Sequence, residues 1–265
     1  MAPPADEVVL PVLCDVRDGV ATITLNRPGA ANALSMELAA SIGHTFSRLR
    51  HDESVRVVIV TGAGKAFCAG TDLKERRAMT LEETRSFLRS LNGVVDAVAA
   101  FPRPVIAAIN GAAFGGGLEL ALACDFRIAA EGAELGLVET RLGIIPGAGG
   151  TQRLARVAGV AVAKELILTG RRLGAARAKE LGDVGEVVPA GELSAAAARL
   201  AAELAGAGPL AVAQAKKAID GGFDLPMPEA LAFERDCYEV VLESEDRNEG
   251  LRAFVEKRPP KFTGK

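Results

Sequence analysis

The amino-acid sequence predicts an α/β fold, and three observations support that prediction. Residues 8–26 alternate apolar and polar side chains around Asp18-Gly19, a pattern typical of an antiparallel hairpin. Two continuous apolar runs, at 55–60 and 105–109, match strands that are covered on both faces. Each run leads into a glycine-bearing loop. Beyond residue 151 the spacing of apolar residues is almost entirely that of helices. We therefore expect strands mainly in the first part of the chain and helices in the last.

Periodicity and capping residues indicate the helices. Ser35 precedes apolar positions that recur every three to four residues up to Leu49, so Ser35 can cap a helix. Thr80 and Glu83 form a capping box ahead of a second helix that runs to Ala100. Short strands are predicted at 127–129, 135–137 and 186–188, and further helices at 151–158, 160–168, 175–181, 192–205, 209–219, 228–243 and 247–256.

Composition excludes several classes of function. A net charge of −3 over 265 residues gives no general attraction to DNA, RNA or an anionic membrane. The four cysteines lack the paired spacing of a zinc site, and we expect no metal. Residues 1–6 show neither the basic nor the apolar part of an export signal, and no transit peptide is visible. These observations predict a cytoplasmic protein of bacterial type.

The segment around which the chain is organised is Phe114–Asp125, where three glycines lead into an apolar helix. The first N–H groups of a helix have no intrahelical partner and lie at its positive end, so the turn at Gly115-Gly116 can bind an oxyanion. Glu119 lies three residues after Gly116 and therefore on the same helix face. A carboxylate is thus expected beside a place where negative charge develops.

Two other interpretations of the run from Val105 to Cys124 stay open. A stretch of about twenty apolar residues is long enough to span a membrane. The pair Asn110-Gly111 and the unpaired Glu119 favour a strand, a loop and a short helix instead. Alternatively, the glycines serve only close packing in a buried core.

A second strand-to-glycine turn, Gly70-Thr71, and a second candidate acid, Glu139, complete the pattern. Two backbone donors with two carboxyls suit chemistry on an activated carbonyl compound, because donors stabilise an enolate while carboxyls move protons and hold water. Spacing alone does not identify the carbonyl compound.

Three motifs resemble the enoyl-CoA hydratase (crotonase) superfamily, and the resemblance extends along nearly the whole chain. They are Ala66–Lys74, Asn110–Glu119 and Leu137–Leu154. The resemblance implies a spiral of strand-strand-helix repeats that carries the CoA and catalytic site in residues 1–206. It also implies a helical trimerisation region in residues 207–265, and a homotrimer or a homohexamer made of two trimers.

The resemblance also implies roles for five residues of the reaction site. The backbone N–H groups of Thr71 and Gly116 would form an oxyanion hole. Glu119 and Glu139 would hold a water molecule, Glu139 would supply the proton to C2, and the N–H of Gly147 would help to position the water.

The CoA part of the substrate would be bound by a second set of residues, and no separate cofactor is implied because CoA arrives as part of the thioester. Phe254 and Lys257 would reach the adenine and phosphate, often across a subunit contact. The full set is Ala30, Ala31, Ala69, Gly70, Asp72, Lys74, Phe254 and Lys257.

The expected reaction is syn hydration of a 2-enoyl-CoA in fatty-acid or branched-chain (leucine) degradation. The alternatives are another crotonase-type reaction, such as isomerisation, decarboxylation or dehydration, and a non-catalytic or RNA-associated scaffold. Within the superfamily the chain looks most similar to the methylglutaconyl-CoA hydratase type that is also described as binding AU-rich RNA. Its lysine-rich helix corresponds here to 36–50, which has no lysine, so RNA binding is not expected.

Overall fold

A computed structural model describes residues 10–265. The segment searched for an export signal, residues 1–6, and the first two residues of the predicted hairpin lie outside this range. The strands are β1 (Val12–Arg17), β2 (Val20–Leu25), β3 (Val57–Gly62), β4 (Ala66–Cys68), β5 (Val105–Ile109), β6 (Ala112–Phe114), β7 (Phe126–Ala130), β8 (Glu134–Gly136), β9 (Leu173–Gly174) and β10 (Glu186–Val188).

The helices alternate with these strands and then follow one another without interruption at the end of the chain. They are α1 (Met36–Arg50), α2 (Leu73–Ala78), α3 (Leu81–Ala99), α4 (Gly116–Ala123), α5 (Gly150–Ala158), α6 (Val160–Thr169), α7 (Ala175–Glu180), α8 (Leu193–Ala205), α9 (Pro209–Gly222), α10 (Met227–Leu242) and α11 (Glu245–Glu256). Short 3₁₀ helices form at Pro28–Ala30, Glu139–Leu142 and Ala190–Glu192.

The strands form two sheets, and the chain passes repeatedly from one to the other. The large sheet has the order β1-β2-β3-β5-β7-β10, and the small sheet has the order β4-β6-β8-β9. In the small sheet β4, β6 and β8 are parallel, so their carboxyl ends lie at the same edge. Each follows a strand of the large sheet after a short loop. This repetition brings three separate turns to one edge, and the candidate site lies there.

Two buried layers hold the sheets together. The larger contains apolar side chains of β2, β3, β5 and the small sheet packed against α1, α3 and α4. The second lies on the other face of the large sheet, against α8. Strands covered on both faces explain why the sequence of β3 and β5 is almost continuously apolar.

Two asparagines fix the loop between β3 and β4. Asn32 is fully buried with a left-handed backbone, and its amide donates to the carbonyls of Ala63 (2.9 Å) and Ala66 (2.8 Å). Asn110 accepts from the N–H of Gly62 at 3.1 Å and donates to the Gly64 carbonyl at 3.0 Å. These bonds satisfy backbone groups that the passage between sheets leaves without a strand partner.

The structure confirms the predicted hairpin, both capped helices, the buried strands and the helical end of the chain. Ser35 caps α1, and Thr80 forms its capping box with Glu83. The apolar run from 105 becomes β5, β6 and α4. This division into two strands and a helix of eight residues contradicts a single membrane span at this run. No helix within residues 10–265 is long and apolar enough to cross a membrane.

Asp183 is a buried carboxylate whose charge opposes folding. It is 1 % exposed, and its Oδ1 has no hydrogen-bond partner among residues 10–265. Burial raises the pKa of Asp183 from 3.8 to about 6, although the charge of Arg127 lowers it. The resulting loss of stability is therefore absent below pH 3.8, develops as pH rises from 3.8 to about 6, and is complete above about 6.

We expect Asp183→Asn to raise the melting temperature at pH 8 by several degrees, because a neutral amide replaces a buried anion. The rise in pKa from 3.8 to about 6 means that the anion destabilises the fold by about 3 kcal/mol. The gain should shrink as pH falls to 5, where the wild-type carboxyl is largely protonated. Differential scanning calorimetry of both proteins at several pH values measures the difference. An equal gain at pH 5 and pH 8 would contradict the electrostatic explanation.

Candidate active site

The first turn of the site follows β4. Gly70 has φ 97°, a left-handed conformation that favours glycine, and its carbonyl accepts from the N–H of Leu34 at 2.7 Å. The N–H of Asp72 donates to the Leu34 carbonyl at 2.9 Å. Between these two bonds, the N–H of Thr71 has no acceptor in the part of the chain that the structure describes. Thr71 therefore presents a free backbone donor.

The second turn follows β6 and begins α4. Gly115 has φ 49°, and its N–H donates to the carbonyl of Gly136 at 2.9 Å. Gly116 is the first residue of α4, so its N–H has no partner within the helix and lies at the positive end of the helix dipole. This turn provides the second donor that the sequence predicts.

The two turns contact each other directly. A β-carbon placed on Gly70 would lie 2.9 Å from the carbonyl oxygen of Phe114 and 3.8 Å from Cα of Gly115. Only a residue without a side chain permits this approach. The donors of Thr71 and Gly116 thus belong to adjoining turns at the edge of the small sheet.

Glu119 lies on α4 one turn beyond Gly116 and is 2 % exposed. Its Oε1 accepts from the N–H of Ala148 at 2.7 Å and of Gly150 at 2.8 Å, and Gly147 precedes them on the same loop. Burial raises the pKa of Glu119, and these backbone donors oppose the rise because they favour the ionised form. The other carboxylate oxygen of Glu119, Oε2, lies near Gly116, 4.0 Å from the position that a β-carbon on Gly116 would occupy.

Glu139 begins the 3₁₀ helix that follows β8 and is 9 % exposed. Its Oε1 would lie 2.9 Å from a β-carbon on Gly115, and its buried Oε2 has no hydrogen-bond partner within residues 10–265. Burial, together with the charge of Glu119, raises the pKa of Glu139 to about 7, although its own backbone N–H and the charge of Arg76 oppose the rise. The two carboxyls therefore lie against adjacent residues of one turn in different environments.

Three side chains hold the loop that supplies donors to Glu119, and sequence reasoning did not single them out. Arg153 donates to the carbonyl of Ala148 at 2.9 Å and pairs with Asp96 at 2.9 Å. Asn92 donates to the carbonyl of Gly147 at 2.7 Å. Of the three, Arg153 could have been found from the sequence, because it lies inside the third family motif, Leu137–Leu154.

The residues predicted to meet CoA near the first turn do come together. The N–H of Ala69 donates to the carbonyl of Ala31 at 3.0 Å, which places the 3₁₀ turn ending at Ala30 beside the Gly70 turn. Asp72 caps α2 and pairs with Arg27 at 3.2 Å, so its carboxylate fixes the turn. Lys74 is exposed on the first turn of α2.

Phe254 and Lys257 are not joined to these turns by any hydrogen bond within residues 10–265. Phe254 lies on α11 with 84 % of its surface exposed, and Lys257 ends that helix in a left-handed conformation. Their predicted contact with CoA therefore stays a prediction. Among the described residues, no three His, Cys, Asp or Glu side chains are grouped to hold a metal ion.

Two free backbone donors on adjoining turns, with two buried carboxyls beside them, suit chemistry on an activated carbonyl compound. Residues 15–265 match the family described as enoyl-CoA hydratase/isomerase. The chain belongs to this family, whose members are enzymes that act on acyl-CoA substrates. The predicted family and the predicted crotonase fold are both confirmed.

Individual relatives agree with this assignment. The chain is 48 % identical over 264 residues to the mouse mitochondrial enoyl-CoA hydratase domain-containing protein 2, with 98 % of this chain and 89 % of the relative covered. It is 43 % identical to mouse mitochondrial methylglutaconyl-CoA hydratase, with coverage of 98 % and 84 %. A crystal structure of enoyl-CoA hydratase from Bacillus anthracis superposes with a TM-score of 0.95 at 49 % identity, covering 96 % of this chain and 100 % of that one.

Proposed function

We propose that the protein is an enoyl-CoA hydratase that adds water syn across the C2=C3 bond of a 2-enoyl-CoA thioester. The observation that carries this proposal is the pair of carboxyls against one glycine turn. Glu119 is held by backbone donors that favour the anion, whereas Glu139 has a pKa of about 7 and can hold a proton at neutral pH. Hydration needs one carboxyl in each state.

The reaction follows from this geometry. The thioester oxygen accepts from the N–H groups of Thr71 and Gly116, which stabilise the enolate as negative charge develops. Water held at the two carboxyls attacks C3 and gives a proton to Glu119. Glu139 gives its own proton to C2 on the same face. The product has gained one water, and transfer of a proton from Glu119 to Glu139 restores the starting state.

The remaining assignments extend the proposal to the rest of the substrate. The backbone around Ala31 and Ala69 receives the adenine and pantetheine, and the N–H of Gly147 positions the water. Phe254 and Lys257 reach CoA in a neighbouring subunit of a trimer or hexamer, which fits their exposure. The name of one relative favours a branched substrate such as 3-methylglutaconyl-CoA in leucine degradation, and fatty-acid degradation is the alternative.

Two further expectations belong to the same proposal. Helix α1 contains no lysine, so we expect no RNA binding.

The compartment is the second expectation. Two relatives are named as mitochondrial, whereas the sequence predicts a cytoplasmic enzyme. Microscopy or cell fractionation of the tagged protein in its host tests this expectation.

We expect the purified protein to remove the enoyl absorbance of crotonyl-CoA and of 3-methylglutaconyl-CoA, and to form the 3-hydroxyacyl-CoA product. In deuterated water, NMR of that product should show deuterium at C2 on the face that receives oxygen at C3. Glu119→Gln, which removes the acceptor for the water proton, is the matched control and should lower the rate by about 10²–10⁴-fold. Conversion of a 3-enoyl-CoA without hydration of either 2-enoyl-CoA would establish an isomerase instead.

A further inference from the structure

One uncharged side chain, Asn92 of α3, contacts the back of the loop that binds Glu119. Asn92 is half-buried, and its Nδ2 donates to the carbonyl of Leu88 at 2.8 Å and to the carbonyl of Gly147 at 2.7 Å. Both partners are carbonyl oxygens, which only accept, so the amide nitrogen must be the atom that faces them. The bond to Leu88, one turn earlier on the same helix, fixes the direction in which the amide donates.

The peptide unit between Gly147 and Ala148 is held from both sides. Its carbonyl oxygen accepts from Asn92, and its N–H donates to Oε1 of Glu119 at 2.7 Å. In a planar trans peptide the C=O and N–H bonds point in opposite directions and turn together. A rotation that breaks the bond to Asn92 therefore also turns the N–H away from Glu119. Asn92 acts on the carboxylate through one rigid plane.

The surrounding loop does not hold this peptide unit by itself. Gly147 has no side chain to restrict rotation, and Gly149 already has φ 93°. Arg153 donates to the carbonyl of Ala148, which belongs to the next peptide unit. No side chain of residues 10–265 other than Asn92 donates to the Gly147 carbonyl. The orientation of the Ala148 N–H thus depends on a single amide.

The charges around Glu119 are independent of Asn92. Arg153 of α5 favours the anion, and Glu139 on the neighbouring 3₁₀ helix is the other acid of the site. Asp96 of α3 pairs with Arg153 at 2.9 Å. Replacing a neutral amide with an apolar side chain leaves these three charges in place. Any effect of that change on the ionisation of Glu119 must pass through the peptide unit.

We propose that Asn92 is a positioning residue that orients the Gly147–Ala148 peptide so that Glu119 stays ionised and can accept a proton from water. The catalytic consequence rests on the proposed hydratase function, whereas the effect on Glu119 does not. A hydrogen bond to a charged group stabilises that charge more than a neutral pair would, so one lost donor is enough to change the ionisation equilibrium.

We expect Asn92→Leu to move the acid limb of the kcat/KM profile for crotonyl-CoA upward by about one pH unit, a tenfold change in the ionisation equilibrium of Glu119. Activity is then lost mainly at low pH, because Glu119 must be ionised to act as a base. Ser90→Leu, at an exposed position of the same helix, is the matched control and should leave the profile unchanged. A loss that is equal at every pH would show that Asn92 only supports the fold.

A titration without substrate separates this inference from the proposed reaction. Carbon-13 NMR of protein labelled at the glutamate carboxyls follows the ionisation of Glu119, whose signal is assigned by its absence in Glu119→Gln. The midpoint should rise by about one pH unit in Asn92→Leu and also in Asn92→Ala, which removes the amide without adding bulk. If the midpoint rises but no enoyl-CoA is hydrated, the hydratase proposal fails and the positioning role stands. An unchanged midpoint in either folded variant would overturn the inference.

Discussion

The Glu139→Gln enzyme should hydrate crotonyl-CoA about three orders of magnitude more slowly than the wild type, because glutamine has no proton to give to C2. KM should change little, since the thioester oxygen is bound by the backbone at Thr71 and Gly116. The amide has nearly the same shape as the carboxyl and removes a group that lacks a hydrogen-bond partner at Oε2, so folding should be preserved. Steady-state kinetics and circular dichroism measure both effects.

The pH profile of the wild type provides an independent measure of the same residue. Glu139 must be protonated to act as an acid, and burial raises its pKa to about 7. Log kcat/KM should therefore fall with a slope of −1 as pH rises through about 7 and above. At lower pH it should fall again when Glu119 is protonated, because that residue must accept the proton of the water.

The control for Glu139→Gln is Glu134→Gln, an exposed glutamate on β8. Glu134→Gln should retain full activity and the same alkaline pKa. A Glu139→Gln enzyme that kept a tenth of the wild-type rate would show that another group protonates C2. Glu119 would then be the first candidate.

The backbone donors and the acids could be predicted from the sequence because residues close to them in the chain mark their positions. Gly116 and Glu119 are three residues apart on one helix, so their common face follows from helix geometry alone. The turn at Gly70-Thr71 is also marked by its own glycine. That these turns adjoin could not be derived from spacing, because it depends on the parallel pairing of β4, β6 and β8.

Several short elements were not predicted. β4 and β6 have three residues each, and α2 has six, so none shows enough periodicity to be distinguished from a loop. The small sheet is therefore the part of the fold for which sequence pattern is least informative. Its strands are defined by the pairing of β4 with β6 and of β6 with β8, which joins residues far apart in the chain.

Residues that act through distant contacts were also missed. Arg153 reaches Asp96 across 57 residues of sequence, and Asn92 reaches the Gly147 carbonyl across 55. Neither pair leaves a local pattern. The buried Asp183 had no signal either, because a lone acid beside a glycine is typical of an exposed turn. Tertiary packing decides the environment of all these side chains.

A large loss of stability is expected from Gly117→Ala. Gly117 is the second residue of α4, and a β-carbon there would overlap the Cys68 carbonyl oxygen and lie 2.8 Å from both its carbonyl carbon and Cβ. These are mostly backbone atoms of β4, which cannot move without displacing the Gly70 turn. We expect a loss of at least about 3 kcal/mol in the free energy of unfolding, at the upper end of overpacking.

A second glycine provides the matched control for this substitution. Gly93 lies inside α3, and a β-carbon there would have no neighbour within 4 Å, so Gly93→Ala should stabilise the protein by about 0.5–1 kcal/mol through helix propensity. Urea unfolding of both variants measures the two values with opposite signs. If Gly117→Ala were as stable as the wild type, α4 and β4 could separate at little cost. The contact between the two donor turns would then not be fixed by packing, and the rigid oxyanion site derived from it would be wrong.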